Sequence, residues 1–176
     1  MSPITHGIIG WLIAQPLAAR KDRVLVTAAA LVSDLDGLSL LLGQEAYGTF
    51  HHTFGHNLLF GILSSIIVAL LSQQKYLAAG LGFLSFHSHL ICDLFGSGEG
   101  WPIPYLWPSS RLTFVLPGSY GWELDSWQNL IITGIALIFV YWIALKKNRT
   151  IVEVVSVAAD QTVVSILKKW SRLYKR

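Results

Sequence analysis

The chain has 176 residues, of which 53% are apolar and only 13% charged, with a net charge of +3 at pH 7. Soluble domains carry about a quarter charged residues, so this composition excludes a disordered chain, a coiled coil and a nucleic-acid binder built on a basic face. A single cysteine, Cys92, excludes an internal disulfide and any cysteine-rich zinc module. What remains is an all-α integral membrane protein that meets the lipid bilayer, with a membrane-embedded unit over residues 1–148 and a tail over 149–176.

Apolar stretches run from Gly7 to Ala19, Val24 to Leu42, Leu58 to Ser72, Tyr76 to Phe95 and Leu130 to Leu145. A full crossing needs about 20 apolar residues, so the shorter ones are plausible only as packed neighbours. These stretches predict a bundle of four to five transmembrane helices. Ser33-Asp34-Leu35-Asp36-Gly37 interrupts the second, and Gly37 marks where its helix is expected to end. Pro102, Pro104, Pro108 and Pro117 keep the segment between Phe95 and Trp127 from being helical throughout. Its Gly96, Gly98, Gly100, Gly118 and Gly121 loosen it further. Trp101, Tyr105, Trp107, Tyr120 and Trp122 within it suit either an interfacial belt or a shelf over a substrate.

Beyond residue 149, Val152, Val155, Ala159, Val163, Ile166, Trp170 and Leu173 recur at spacings of three and four, with Glu153, Asp160, Lys168 and Arg172 off that stripe. This predicts an amphipathic helix whose basic end, continuing to Lys175 and Arg176, suits a headgroup layer. The alternative is that the stripe packs on the other helices or on a second copy.

The basic residues set an orientation. Arg20, Lys21, Arg23, Lys75, Lys146, Lys147, Arg149 and the tail alternate consistently with five crossings, and only Arg111 falls in a loop of the opposite set. The positive-inside rule then predicts an inner (plasma) membrane protein with its C-terminus in the cytoplasm.

Ionisable residues inside a membrane are expensive and point to function. His6, Asp34, Asp36, His51, His52, His56, His89 and Asp93 all fall toward the ends remote from the basic residues. On a helix Asp34 lies about 17 Å beyond Arg23, and His89 about 21 Å beyond Lys75. One cluster near the non-cytoplasmic face is the simplest account. His89 and Asp93 share a helix face at i, i+4, whereas His87 points away and reads as a packing residue. Either His51 or His52 can join His56. Neutral imidazole with carboxylate suits a divalent metal, foremost zinc and also manganese or iron. Such a site predicts metal-assisted hydrolysis, in which the ion acidifies a water and Asp36 or Asp34 takes its proton.

Thr5-His6-Gly7, Ser33-Asp34-Leu35-Asp36, His51 through Asn57, Ser88-His89-Leu90-Ile91-Cys92-Asp93 and Trp107-Pro108 together resemble the motifs of the YdjM-type membrane-bound metal-dependent hydrolases. That group is often placed with phospholipase C and P1 nuclease. The resemblance covers about residues 1 to 115. It implies metal-type roles for His6, Asp34, Asp36, His51, His56, His89 and Asp93, and a phosphoester substrate, with phospholipid as one form. The family's Arg is His52 here, its Thr is Gly55, its Ser is Asn57, and its Pro before the first Asp is Ser33. With that Arg gone, His52 and Arg111 are the expected phosphate contacts, although Arg111 equally suits a lipid phosphate. Two rivals stand beside hydrolysis. One is a transport protein that passes protons or metal ions through the cluster, disfavoured by apolar helix halves near Arg20 and Gln73. The other is a metal that only clamps helices.

Overall fold

A computed structural model describes residues 1–98, 101–117 and 120–173. Gly100, Gly118, Lys175 and Arg176, singled out above, lie outside the described residues. Among the described residues the protein is all helical. Its α-helices are α1 (Pro3–Ile13), α2 (Arg20–Ala29), α3 (Gln44–Phe50), α4 (Leu58–Leu71), α5 (Lys75–Gly96), α6 (Trp127–Lys147) and α7 (Val157–Leu173). Two 3-10 helices, Val32–Leu42 and Ile151–Val154, complete them.

Local chemistry sets several ends. Ser2 caps α1, its hydroxyl accepting from Thr5 N, and Pro3 takes the first turn, where no intrahelical donor is needed. Asn57 caps α4 by accepting from Phe60 N at 2.9 Å. Asn148 ends α6 in the left-handed conformation.

α5 and α6 are long and apolar enough to cross a membrane, and α2 with the following 3-10 helix makes a third crossing if the bent pair is one span. This is fewer than the four to five that apolar runs alone suggest. α1 and α4, at 11 and 14 residues, reach only about 16 and 21 Å against a hydrocarbon layer of about 30 Å. The second stretch does not break at Gly37. It bends by 50° between Ala29 and Val32, and Gly37 continues inside a 3-10 helix.

α1 is the central element and packs on α2, α5 and α6, while α4 and α5 form an antiparallel hairpin. Small residues permit the closest approaches: a Cβ on Gly10 would stand 2.5 Å from the Ala30 Cβ and 2.8 Å from Ser85 Oγ. One buried apolar cluster joins Ala14, Leu17, Val26, Ala29, Val68 and Ala78, and another joins Ile8 and Trp11 to Ala136, Val140 and Ile143 on α6.

The end of the bundle near Arg20 and Gln73 is not apolar, contrary to the sequence expectation. Buried Arg23 forms a two-pronged ion pair with buried Glu153, at 2.7 and 2.6 Å. Trp11 Nε1 donates to the same carboxylate at 2.9 Å, and Arg20 Nε donates to the Glu153 carbonyl. Buried Asp22 accepts the backbone N–H groups of Gln73 and Gln74, each at 2.9 Å. Burial raises the pKa of the Glu153 carboxyl, but the hydrogen bonds from Arg23 and Trp11 outweigh it and hold the pKa below the ordinary glutamate range.

In the tail, α7 does present an apolar stripe away from the bundle: Ile166, Trp170 and Leu173 are exposed, as is Val155 just before the helix. The polar side is where the structure departs from the helical-wheel expectation. Glu153 and Asp160 are buried, and Asp160 accepts from Thr150 N at 2.7 Å and Thr150 Oγ1 at 2.5 Å.

Candidate metal centre

At the other end of α1, four segments converge. A 3-10 helix repeats every three residues, so Asp34 and Gly37 share one ridge of Val32–Leu42 and Ser33, Asp36 and Ser39 another. The first ridge lines a cavity and the second turns inward. The loop His51–Asn57 crosses this inward ridge so closely that a Cβ on Gly55 would overlap the Ser33 carbonyl. His52 holds φ at 63° to make that crossing, a conformation few non-glycine residues adopt. α5 supplies His89 and Asp93 one turn apart, and α1 supplies His6.

Asp34, His56, His89 and Asp93 each offer an atom to one point, all four atoms lying within 4.8 Å of one another. His89 Nε2 stands 3.0 Å from Asp93 Oδ2, 3.2 Å from His56 Nε2 and 3.6 Å from Asp34 Oδ1. His56 Nε2 stands 3.4 Å from Asp93 Oδ2. Four ligands about 2.0–2.1 Å from a tetrahedral zinc are separated by about 3.3 Å. These spacings fit that donor set.

The proton positions fit as well. His89 Nδ1 lies 2.7 Å from the Ala30 carbonyl, which can only accept, so Nδ1 carries the hydrogen. His56 Nδ1 lies 2.9 Å from Asp36 Oδ2 and donates to that carboxylate. In their neutral forms both rings therefore turn a lone pair toward each other across 3.2 Å, an arrangement that a cation between them would stabilise. Asp34 Oδ2, buried and without a hydrogen-bond partner, adds an unused donor atom.

Around this group stand residues that hold it. Asp36 accepts from His51 Nδ1 at 2.7 Å through one oxygen, and from His56 Nδ1 and Gly55 N at 2.9 and 3.1 Å through the other. Asp93 Oδ1 accepts from His6 Nε2 at 3.0 Å and Ser97 Oγ at 3.0 Å, and contacts the Met1 α-amino group. The His6 ring stacks on His89 with centroids 3.9 Å apart. His52 stacks on His56, its Nε2 3.9 Å from Asp93 Oδ2. Burial, reinforced by the neighbouring His56, pushes the His52 imidazole down to about 3, so it stays neutral.

A cavity of about 350 Å³ opens onto the group, lined by Asp34, Asp93, His51, His52, Tyr47 and Trp101 among others. Trp101 meets the rings of Tyr47, His51 and His52. It is therefore part of the cavity wall.

Of the sequence-nominated residues, the structure brings together His6, Asp34, Asp36, His51, His52, His56, His89 and Asp93. Arg111 is exposed and is not among the residues lining the cavity. His87 lies off the site: its Nδ1 donates to Phe83 O at 2.8 Å and its Nε2 accepts from Tyr105 OH at 2.8 Å. Sequence reasoning missed Tyr47 and Ser97. Ser97 carried a usable signal, being one turn beyond Asp93, whereas Tyr47 sits on α3, a helix with no apolar periodicity.

Neither a curated protein nor a solved structure matches the chain. A family model for the YdjM inner membrane protein does match, over residues 1–171, and so takes in the buried His/Asp group, the loop that carries Trp101 and most of α7. With nearly the whole chain matched, the protein belongs to the YdjM inner membrane protein family.

Proposed function

We propose that this protein is a membrane-bound, zinc-dependent hydrolase of a phosphoester, held in a helical bundle with the site on the non-cytoplasmic side and the C-terminus in the cytoplasm. The observation that carries the reading is the convergence of two oriented imidazoles and two carboxylates beneath a cavity. His56, His89 and Asp93 would hold the ion with Asp34 beside it, leaving one position for water, and the ion would supply Lewis-acid polarisation and make that water a stronger acid. Asp36 fixes the His56 tautomer and turns His51 toward the cavity, a positioning role that outer carboxylates commonly play at metal sites. His6 and Ser97 do the same for Asp93. Asp34, partly open to the cavity, accepts the proton of the attacking water, and His51 and His52 donate to or accept from the substrate's head.

A transport function has less support. The polar groups at the far end are tied into fixed ion pairs and caps, and Trp11, Val26, Ala30 and Phe86 lie buried between that end and the site.

The test is elemental analysis of detergent-purified protein followed by a panel of phosphoesters. Near-stoichiometric zinc and zinc-dependent cleavage are expected, both lost in His89→Ala. Metal-dependent stability with no cleavage of any ester would leave a helix clamp instead.

A further inference from the structure

The segment that carries Asp34 and Asp36 also carries the most lipid-like surface near the site. On Val32–Leu42 a third ridge, Leu35, Leu38 and Leu41, is 56%, 60% and 83% exposed. The cavity ridge Asp34–Gly37 itself runs out into exposed Leu40. Elsewhere on the cavity lining, Leu124 is 56% exposed between exposed Glu123 and Asp125, and Ile4, next to the lining residue Pro3, is 74% exposed. This 3-10 helix is the second half of the bent pair that together is apolar enough to cross a membrane. Polar and charged groups therefore line a cavity with Pro3 and Leu124 in its wall and with the exposed leucine ridge of Val32–Leu42 next to Asp34 and Gly37. Among the described residues no Lys or Arg lines the cavity, so nothing at its wall favours a highly charged soluble anion over a head with little charge.

Exposed leucines of this kind are costly against water but ordinary against hydrocarbon. From this we infer that the substrate is a bilayer-resident amphiphile that enters sideways from the membrane, its polar head descending between Gly37 and Leu124 to the metal group while its hydrocarbon chain stays on the Leu38/Leu41 ridge. The inference rests on the proposed metal site. It adds where the substrate comes from and what the mouth selects.

The experiment uses full-length protein in detergent micelles loaded with Co(II), whose visible spectrum reports on ligands at the site. Dodecylphosphonate and ethylphosphonate serve as probes with one head and different tails. Dodecylphosphonate is expected to perturb the spectrum according to its mole fraction in the micelle, weakening as detergent is added at constant total probe, while ethylphosphonate follows its bulk concentration. Leu38→Asn is expected to weaken the long-chain probe about tenfold, the scale of losing one good apolar contact, and to leave the short one unchanged. Leu124→Asn, in a loop where helix stability is not at stake, should do the same from the cavity wall. Equal response to both probes, or rim variants that affect them equally, would overturn lateral entry while leaving the metal site standing. Absence of any Co(II) spectrum would overturn the metal site and this inference with it.

Discussion

Asp36→Asn separates a residue that positions a ligand from one that binds the metal. In the wild type, all three hydrogen bonds to Asp36 come from donors: His51 Nδ1 at 2.7 Å, His56 Nδ1 at 2.9 Å and Gly55 N at 3.1 Å. An asparagine keeps one acceptor oxygen and replaces the other with an NH₂ that must donate. If the NH₂ faces His56, that ring has to give up its Nδ1 hydrogen and carry it on Nε2, where it points at His89 Nε2 and blocks the ion. If the amide flips, the His56 tautomer survives but His51 and its stacking on Tyr47 are released. Losing the outer carboxylate of such an arrangement weakens metal binding by about 10–100-fold, equivalent to roughly 1.4–2.7 kcal/mol. Competition titration of zinc against a chromophoric chelator in micelles measures this directly. An unchanged affinity would refute the tautomer argument. A loss as complete as that of His89→Ala would refute it differently, by making Asp36 a direct ligand.

Four further outcomes follow from particular contacts. His87→Ala should leave zinc content unchanged, read by elemental analysis beside His89→Ala, because its two hydrogen bonds go to Phe83 and Tyr105 and not to the site. Gly55→Ala should lower zinc content while the bundle stays folded by circular dichroism, since the added methyl displaces the Ser33 backbone on which Asp34 depends. Removing one partner of the Arg23–Glu153 pair strands a buried charge, so Glu153→Ala should cost about 3–5 kcal/mol, seen as a lowered midpoint in thermal unfolding. The Glu153 carboxyl is depressed below its ordinary value of 4.5, so its contribution to stability is present above that value. It is lost as pH falls through the lower folded-state pKa, and wild-type thermal midpoints should drop there while those of Glu153→Gln stay flatter.

The candidate site was far more legible in the sequence than the bundle that holds it. His89 and Asp93 needed only the helical repeat, and the one-sided placement of His and Asp against Lys and Arg already implied a single cluster. What spacing could not supply was the division of labour inside that cluster. Asp34 and Asp36 are chemically identical and two residues apart, and only the three-residue period of the 3-10 helix sends one to the cavity and the other to His51 and His56. The bend was misplaced at Gly37 because a glycine is the strongest local signal, whereas the actual bend at Ala30–Leu31 follows from packing: Ala30 sits against Gly10, and its carbonyl takes the His89 hydrogen bond. Glu153 read as solvent-facing because a helical wheel knows nothing of the arginine 130 positions earlier. The family resemblance pointed to the metal-type residues, and the structure adds which of them share a single point.

The ion pair at the far end also has a temporal side. Arg23 is synthesised 130 residues before its carboxylate partner. Trp11 waits still longer in sequence for the same group, across 142 positions. Until Glu153 emerges, α1 and α2 lack the carboxylate that pairs with that guanidinium in the folded protein. Closing this end of the bundle therefore waits for residue 153. A chain halted before residue 153 would leave the Arg23 guanidinium without the carboxylate that buries with it in the folded protein.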